Sequence, residues 1–220
     1  NFSEGRNLEI IKQITDVIIS VEGVTLLDVD PGAATNRTVV TFVGEPQAVI
    51  EAAVLAGHKS KQLIDMSKHS GEHPRFGAMD VCPLVPISGV TMGETVEYAR
   101  ELAKRLGEEV GLSIYCYENA ALIEERQNLA VVRSGEYEAL ATRLQDERWR
   151  PDFGPAEFQE TTGATAVSAR DFLVAYNVNL NTTSTRRANA IAFDVREKGR
   201  MSRKPHPITG DIQRDEDGKA

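Results

Sequence analysis

The densest group of side chains able to do chemistry lies in the string DMSKHSGEHPRFGAMD, residues 65–80. Four of its members carry groups that act near neutral pH: His69, Glu72, His73 and Arg75. Histidine has the unperturbed pKa nearest physiological pH, so a loop histidine beside carboxylates is suited to general acid or base catalysis. Spacing alone leaves His73 open between that role and a hydrogen-bonded structural histidine.

A metal site is a further alternative for this group, and the local sequence argues against it. His69 and His73 are four residues apart, a spacing that puts two rings on one face of a helix. Gly71 and Pro74 oppose a continuous helix there, and the other two histidines of the chain are distant in sequence. We therefore expect no bound metal.

A second polar cluster follows the first predicted strand, in the string DVDPGAATNR, residues 28–37. Asp28 and Asp30 alternate in phase and would point to the same face of a strand. Asp30 precedes Pro31-Gly32 and would lie at the end of the strand, where an ordinary Asx turn is the structural alternative. The sequence contains no glycine-rich phosphate loop of the P-loop or dinucleotide type.

The composition excludes several classes of protein. The chain has 220 residues, and its 25 Lys and Arg against 33 Asp and Glu give a formal net charge of −8. Nucleic-acid-binding proteins usually present a basic face, so we expect no nucleic acid as partner. No apolar run approaches the about 20 residues that span a bilayer, so we expect no membrane insertion. Cys82 and Cys116 fit buried free thiols of a cytoplasmic protein.

The elements that would position these residues alternate along the chain. Apolar residues at helical spacing predict helices at residues 7–21, 46–66, 92–110 and 188–199, with a capping box at Thr91–Glu94 and sparser helices over 119–145. Short β-rich runs predict strands at residues 24–30, 37–43, 79–87, 112–117 and 172–180. The first two strands suggest a hairpin, and Pro31-Gly32 is expected to end the first of them. This order predicts an α+β fold: a mixed sheet with ferredoxin-like βαβ elements and helices packed mainly on one face.

Residues 149–163 differ in kind from the rest of the chain. The string PDFGPAEFQETTG, residues 151–163, has two prolines, two glycines and no usable period. A loop of about 12 residues or more inside a compact domain is usually functional or disordered. Phe153 and Phe158 favour an ordered functional loop.

Ten short strings, in order along almost the whole chain, resemble the formiminotransferase family. They are NFSEG (1–5), LDVD (27–30), TNRT (35–38), TFVG (41–44), LIDMS (63–67), GEHPR (71–75), DVCP (80–83), GVTM (89–92), PDFGP (151–155) and AYNVNL (175–180). That family includes one half of formimidoyltransferase-cyclodeaminase and the standalone bacterial glutamate formimidoyltransferases. Each string alone is weak evidence for the family, but ten such strings in the same order are highly specific evidence.

The resemblance implies transfer of a formimidoyl group from N-formimidoyl-L-glutamate to N5 of tetrahydrofolate, the co-substrate, in histidine degradation. His73 matches the catalytic histidine of the family, and Asp30 matches a second polar position in the same cleft. A folate-binding segment of the family matches Gly154, Pro155, Ala156, Glu157, Phe158, Gln159, Glu160, Thr161, Thr162 and Gly163. Arg37 and Arg75 are candidates for holding the anionic glutamyl tail of folate. The family also implies a homo-oligomer.

The resemblance divides the chain into an N-terminal subdomain, residues 1–172, and the beginning of a similar C-terminal subdomain, residues 173–220. The sequence is therefore expected to be a fragment of the family unit. Two other functions stay open at this stage. One is a glutamate formyltransferase that uses the same histidine, and the other is a folate-binding module without catalysis.

Overall fold

A computed structural model describes residues 1–174 and 178–195 of the chain. Its helices are α1 (Leu8–Ile19), α2 (Pro46–Leu63), α3 (Met92–Arg105), α4 (Leu129–Val132), α5 (Glu136–Arg143) and α6 (Thr185–Val195). Its strands are β1 (Val24–Gly32), β2 (Arg37–Gly44), β3 (Val81–Leu84), β4 (Ser113–Glu118) and β5 (Ala164–Ala169). Single 3₁₀ turns occur at Met66–Lys68, Glu124–Arg126 and Glu147–Trp149, and a π-helical turn at Leu106–Val110 extends α3. Within this part of the chain, no helix is long and apolar enough to cross a membrane.

The three long helices form where apolar periodicity predicts them. The side chain of Asn7 caps α1 by accepting hydrogen bonds from two backbone N–H groups of its first turn. The predicted capping box of α3 is confirmed: the Thr91 hydroxyl accepts from the Glu94 amide at 3.2 Å, and the Glu94 carboxylate accepts from the Thr91 amide at 2.8 Å. Each helix buries its apolar side in one common core, and that burial is the main source of helix stability in a protein.

Strands β1 and β2 form the predicted antiparallel hairpin, which pairs from Val24 opposite Gly44 to Gly32 opposite Arg37. The expectation that Pro31 ends the first strand is wrong, because β1 continues through it. β1 is an edge strand of its sheet, and an edge position tolerates a residue that lacks a backbone N–H. A bulge at Leu27 precedes Asp28, and beyond it Asp28 and Asp30 pair regularly opposite Thr41 and Val39, in one phase of the ladder.

A parallel sheet in the order β3-β5-β4 forms the second half of the fold. Its central strand β5 has the sequence ATAVSA, and all six residues are buried. A strand buried on both faces carries no period-two pattern, which explains why the sequence did not indicate it. The prediction of a strand at 172–180 is wrong for residues 172–174 and 178–180, which lie in no strand. The remaining residues, 175–177, lie outside the described part of the chain.

The first residues of the chain join the two sheets. Phe2 and Thr38 exchange both backbone hydrogen bonds at 3.0 and 2.9 Å, which adds an extended segment beside β2. On its other side, the Ser3 amide donates to the Ala78 carbonyl at 2.9 Å, just before β3. Residues 1–3 thus connect an antiparallel pair to a parallel triple, and the predicted α+β class with a mixed sheet is confirmed.

The two faces of the parallel sheet carry different layers. Ile114 and Cys116 of β4 pack into the core that contains α1, α2 and α3. Tyr115 and Tyr117, which alternate with them, pack into a second cluster with residues of α4 and α5. The predicted helices over 119–145 are therefore short pieces that cover the face opposite the long helices. The last predicted helix is confirmed over residues 188–195, and its residues 196–199 lie outside the described part of the chain.

We predict that the two thiols differ in reactivity, because the thiolate is the nucleophile. Burial and the charge of Asp152 raise the pKa of Cys116 to about 12, so roughly 10⁻⁴ of it is ionised at pH 8. Burial also raises the pKa of Cys82, whose side chain is only partly buried. In iodoacetamide labelling followed by mass spectrometry, Cys82 should react slowly and Cys116 only after unfolding. Labelling of Cys116 before Cys82 in the folded protein would contradict this.

Candidate functional site

His73 lies in the polar loop that precedes β3, and its ring is fixed by that loop. Its Nδ1 lies 2.8 Å from the carbonyl oxygen of Pro74. A carbonyl only accepts, so Nδ1 carries the proton and the neutral ring keeps a lone pair on Nε2. His73 is half-buried. The arrangement can accept a proton at one defined nitrogen, which is what a general base requires.

His69 is held differently and has a structural environment. Its Nε2 lies 2.7 Å from the Asn36 carbonyl, and its own carbonyl accepts from Arg75 Nη1 at 2.7 Å. Burial lowers the pKa of His69, so its ring stays neutral at physiological pH. Among the described residues, no group of three His, Cys, Asp or Glu side chains could hold a metal ion.

The loop of the β1–β2 hairpin, residues 33–36, packs against the start of the His73 loop. The Glu72 amide donates to the Ala34 carbonyl at 3.2 Å. Gly71 lies so close that a Cβ there would overlap the carbonyl oxygen of Thr35. This close approach requires glycine in the GEHPR string.

Asp30 lies on β1 opposite Val39, with its side chain exposed. It belongs to the same hairpin whose loop contacts the His73 loop. Within the described residues, no hydrogen bond or ion pair joins Asp30 to His73, and the contact that fixes the His73 ring comes from Pro74. The role of Asp30 as a second polar group of the cleft stays a prediction.

The end of the predicted folate-binding loop, residues 154–163, lies against both flanks of the His73 loop. Three successive carbonyls of residues 160–162 accept hydrogen bonds from the Tyr137 hydroxyl at 2.6 Å, the Met66 amide at 2.9 Å and the Ala78 amide at 2.8 Å. Met66 precedes His73 and Ala78 follows it. The structure therefore brings the predicted folate-binding residues and the predicted catalytic histidine into neighbouring, hydrogen-bonded segments.

The beginning of the same loop is fixed to β4. The Ile114 amide donates to the Phe153 carbonyl at 2.9 Å, and the Ser113 hydroxyl donates to the Pro155 carbonyl at 2.7 Å. Gly154 has φ +81°, and a Cβ there would overlap the Leu112 carbonyl oxygen. Both observations restrict this position to glycine.

Asp152 and Arg126 form a buried ion pair just before the loop, and the sequence did not reveal it because the partners are 26 residues apart. They are 7% and 5% exposed, with Arg126 Nη1 at 2.5 Å from Asp152 Oδ1. The Cys116 amide donates to Asp152 Oδ2 at 2.7 Å. Burial raises the pKa of Asp152, while these two donors oppose that shift. The pair holds the start of the loop to the centre of β4.

The two candidate arginines differ in what they contact. Arg75 forms an ion pair with Glu138 and donates to the His69 carbonyl, so the chain's own groups occupy it. Arg37 is half-buried, and its Nε finds no hydrogen-bond partner among the described residues. Burial lowers the pKa of Arg37 and nearby Asp80 raises it. Of the two, Arg37 is the better candidate for an anionic substrate group, and that role stays a prediction.

Two family profiles match the chain on either side of residue 172. The profile described as "Formiminotransferase domain, N-terminal subdomain" matches residues 1–170. The profile described as "Formiminotransferase domain" matches residues 175–214.

Curated proteins show the same similarity. Over 205 residues, 93% of the chain, it is 51% identical to formimidoyltransferase-cyclodeaminase of Sus scrofa, of which it spans 38%. Over 199 residues, 90% of the chain, it is 46% identical to glutamate formimidoyltransferase of Streptococcus pyogenes serotype M1, of which it spans 67%. A formiminotransferase cyclodeaminase-like protein of Arabidopsis thaliana is 26% identical over 210 residues. The chain thus covers well under half of the longer relatives and about two thirds of the shorter bacterial one.

Asp152→Ala is predicted to lower the free energy of unfolding by about 3–5 kcal/mol, since it leaves a buried guanidinium without its partner. Chemical denaturation monitored by circular dichroism measures the loss. Asp16→Ala, which removes an exposed ion pair with Lys12 within α1, serves as the matched control and should leave the midpoint nearly unchanged. Equal, small effects of both substitutions would show that the buried pair does not anchor the loop.

Proposed function

Because the chain belongs to the formiminotransferase family, we propose that it transfers the formimidoyl group of N-formimidoyl-L-glutamate to N5 of tetrahydrofolate. The products are 5-formimidoyltetrahydrofolate and L-glutamate. One structural observation carries the proposal: the loop matched to folate binding is hydrogen-bonded to both flanks of the loop that presents His73. The named activity of the bacterial relative at 46% identity supports it independently.

The proposed reaction requires two proton transfers. N5 attacks the amidine carbon of the donor and forms a new C–N bond, giving a tetrahedral intermediate. The bond from that carbon to the glutamate nitrogen then breaks. N5 must lose a proton and the departing nitrogen must gain one, so one base that later acts as an acid serves both steps. We assign both transfers to Nε2 of His73, a contribution of roughly 10²–10⁴-fold.

Binding the two substrates side by side supplies much of the remaining rate enhancement, because it converts a bimolecular encounter into a reaction within one complex. In the proposal, residues 154–163 hold tetrahydrofolate, and Arg37 holds a carboxylate of one of the glutamate-containing substrates. Asp30 is proposed as a second polar group of the cleft. No step of this chemistry calls for a metal ion.

We also assign residues 1–172 to the N-terminal subdomain of the family unit and residues 173–220 to the beginning of the C-terminal subdomain. The division of the chain into two units at Phe172 and Leu173 supports this boundary, as do the two profile matches. The expected homo-oligomer and cytoplasmic location stay predictions.

We predict that His73→Ala lowers transfer by about 10²–10⁴-fold, because it removes the only group assigned to proton transfer. The assay supplies formimidoylglutamate and tetrahydrofolate to the full-length protein, then adds acid so that the product cyclises to the absorbing methenyl form. His58→Ala, on an exposed position of α2, is the matched control and should retain full activity. Thermal unfolding should be the same for both variants. Wild-type turnover by the His73 variant would remove the role assigned to it.

The identity of the donor is tested by the same assay with separate substrates. We predict turnover with formimidoylglutamate that exceeds turnover with formylglutamate, and competition between the two donors. The reverse preference would replace the proposal by a glutamate formyltransferase that uses the same histidine. Tight binding of tetrahydrofolate, measured by calorimetry, with no turnover of either donor would indicate a folate-binding module.

A further inference from the structure

Tyr137, in the first turn of α5, contacts the His73 loop and the predicted folate-binding loop at once. Its backbone N–H donates to the Arg75 carbonyl at 2.8 Å. Its hydroxyl donates to the Glu160 carbonyl at 2.6 Å. Its ring packs on Phe158 with the centroids 5.6 Å apart, and the Arg75 guanidinium lies 5.7 Å from the ring centroid. A single side chain therefore bridges the two segments from which the site is built.

The first turn of α5 is itself fixed to the His73 loop. The Glu136 carboxylate accepts a hydrogen bond from the Arg75 amide at 3.2 Å, and Glu138 forms an ion pair with the Arg75 guanidinium. Residues 136–138 thus all contact Arg75, which lies two positions after His73. On the inner side of α5, Leu140 is buried in the cluster that contains Tyr115 of β4, so the helix cannot shift without disturbing the core.

The tyrosine suits this position for physical reasons. An aromatic side chain with two χ angles loses little conformational entropy when it is fixed, and its hydroxyl reaches past the ring to a polar partner. Burial raises the pKa of Tyr137, so the hydroxyl stays protonated and donates at physiological pH. Glu160 is an exposed residue of the loop, and the hydrogen bond to its carbonyl ties this part of the loop to α5.

We infer that Tyr137 is a positioning residue for the tetrahydrofolate substrate: it holds residues 158–160 of the folate-binding loop at a fixed distance from His73. The inference rests on the proposed function. Tyr137 acts through the loop, by its hydrogen bond to Glu160 and its ring contact with Phe158. Its loss should therefore impair the use of folate more than the use of the glutamate donor.

Steady-state kinetics of Tyr137→Phe in the full-length protein tests the inference. This change removes the hydroxyl and keeps the ring, so it deletes one hydrogen bond. We expect the KM for tetrahydrofolate to rise about 3- to 10-fold, the range that one such bond gives. The KM for formimidoylglutamate should stay within about twofold of the wild-type value. The lost hydrogen bond belongs to the folate-binding loop and does not involve the binding of this donor. Tyr137→Leu, which also removes the ring contact, should raise the folate KM further and lower kcat.

The matched control is Tyr98→Phe, which also removes a hydroxyl, from a partly buried tyrosine of α3 that packs against the core on the opposite face of the sheet. It should leave both KM values unchanged. A purely structural role of Tyr137 would lower the thermal midpoint and affect both substrates alike. That result, or a Tyr137→Phe protein with the wild-type folate KM, would overturn the inference.

Calorimetry separates failure of this inference from failure of the proposed reaction. Tetrahydrofolate is titrated, under reducing conditions, into the wild-type protein, Tyr137→Phe and Tyr98→Phe. Weaker binding only in Tyr137→Phe supports the positioning role, even where the wild-type protein shows no transfer. Equal binding by all three proteins overturns the positioning role and leaves the transferase proposal standing. Absence of binding to the wild-type protein overturns both.

Discussion

The site depends on mutual hydrogen bonding between two segments that belong to no helix or long strand. Buried backbone N–H and C=O groups need partners, and the segments before β3 and β5 find them in each other. Thr162 accepts from Ala78, and Ala164 donates to the Phe76 carbonyl. These two bonds form an isolated antiparallel bridge between Gly77 and Gly163, just before the parallel pairing of β3 with β5 begins at Val81 and Ala166. The antiparallel bridge therefore sets the distance between the loop of His73 and the predicted folate-binding loop.

The long helices and the hairpin could be predicted because each buries only one side, and one-sided burial leaves a period in the sequence. The α3 capping box could be predicted because it is local to four residues. β5 could not be predicted, because Ala164–Ala169 is buried on both faces and its sequence therefore shows no alternation of apolar and polar residues. The error at Phe172–Val174 has the opposite cause: these apolar residues match a strand in composition, but they are exposed and have no sheet neighbour in the described structure.

For the predicted site too, features that depend on neighbouring residues could be predicted, and contacts between residues distant in sequence could not. The family strings select His73 and the loop 154–163 as candidates, and only the fold shows the close approach that restricts Gly154 to glycine. Sequence did not distinguish Arg75, whose guanidinium is occupied by Glu138, from Arg37, because the partner of Arg75 is 63 residues away. It missed Tyr137 for a similar reason. A tyrosine in a short amphipathic helix indicates core packing, and only the fold shows that its hydroxyl reaches Glu160.

The way His73 is held constrains the proposed chemistry. Pro74 fixes the proton on Nδ1 through a carbonyl, and a carbonyl cannot take that proton. In the proposed reaction both transfers therefore pass through Nε2, which would receive a proton from N5 and return it to the glutamate nitrogen. One nitrogen can serve both only when the two substrate nitrogens lie within reach of its in-plane lone pair in one complex. The proposed folate-binding loop is hydrogen-bonded to both flanks of the His73 loop. This arrangement would hold folate in place beside the imidazole, so that only the shorter donor would have to adjust its position.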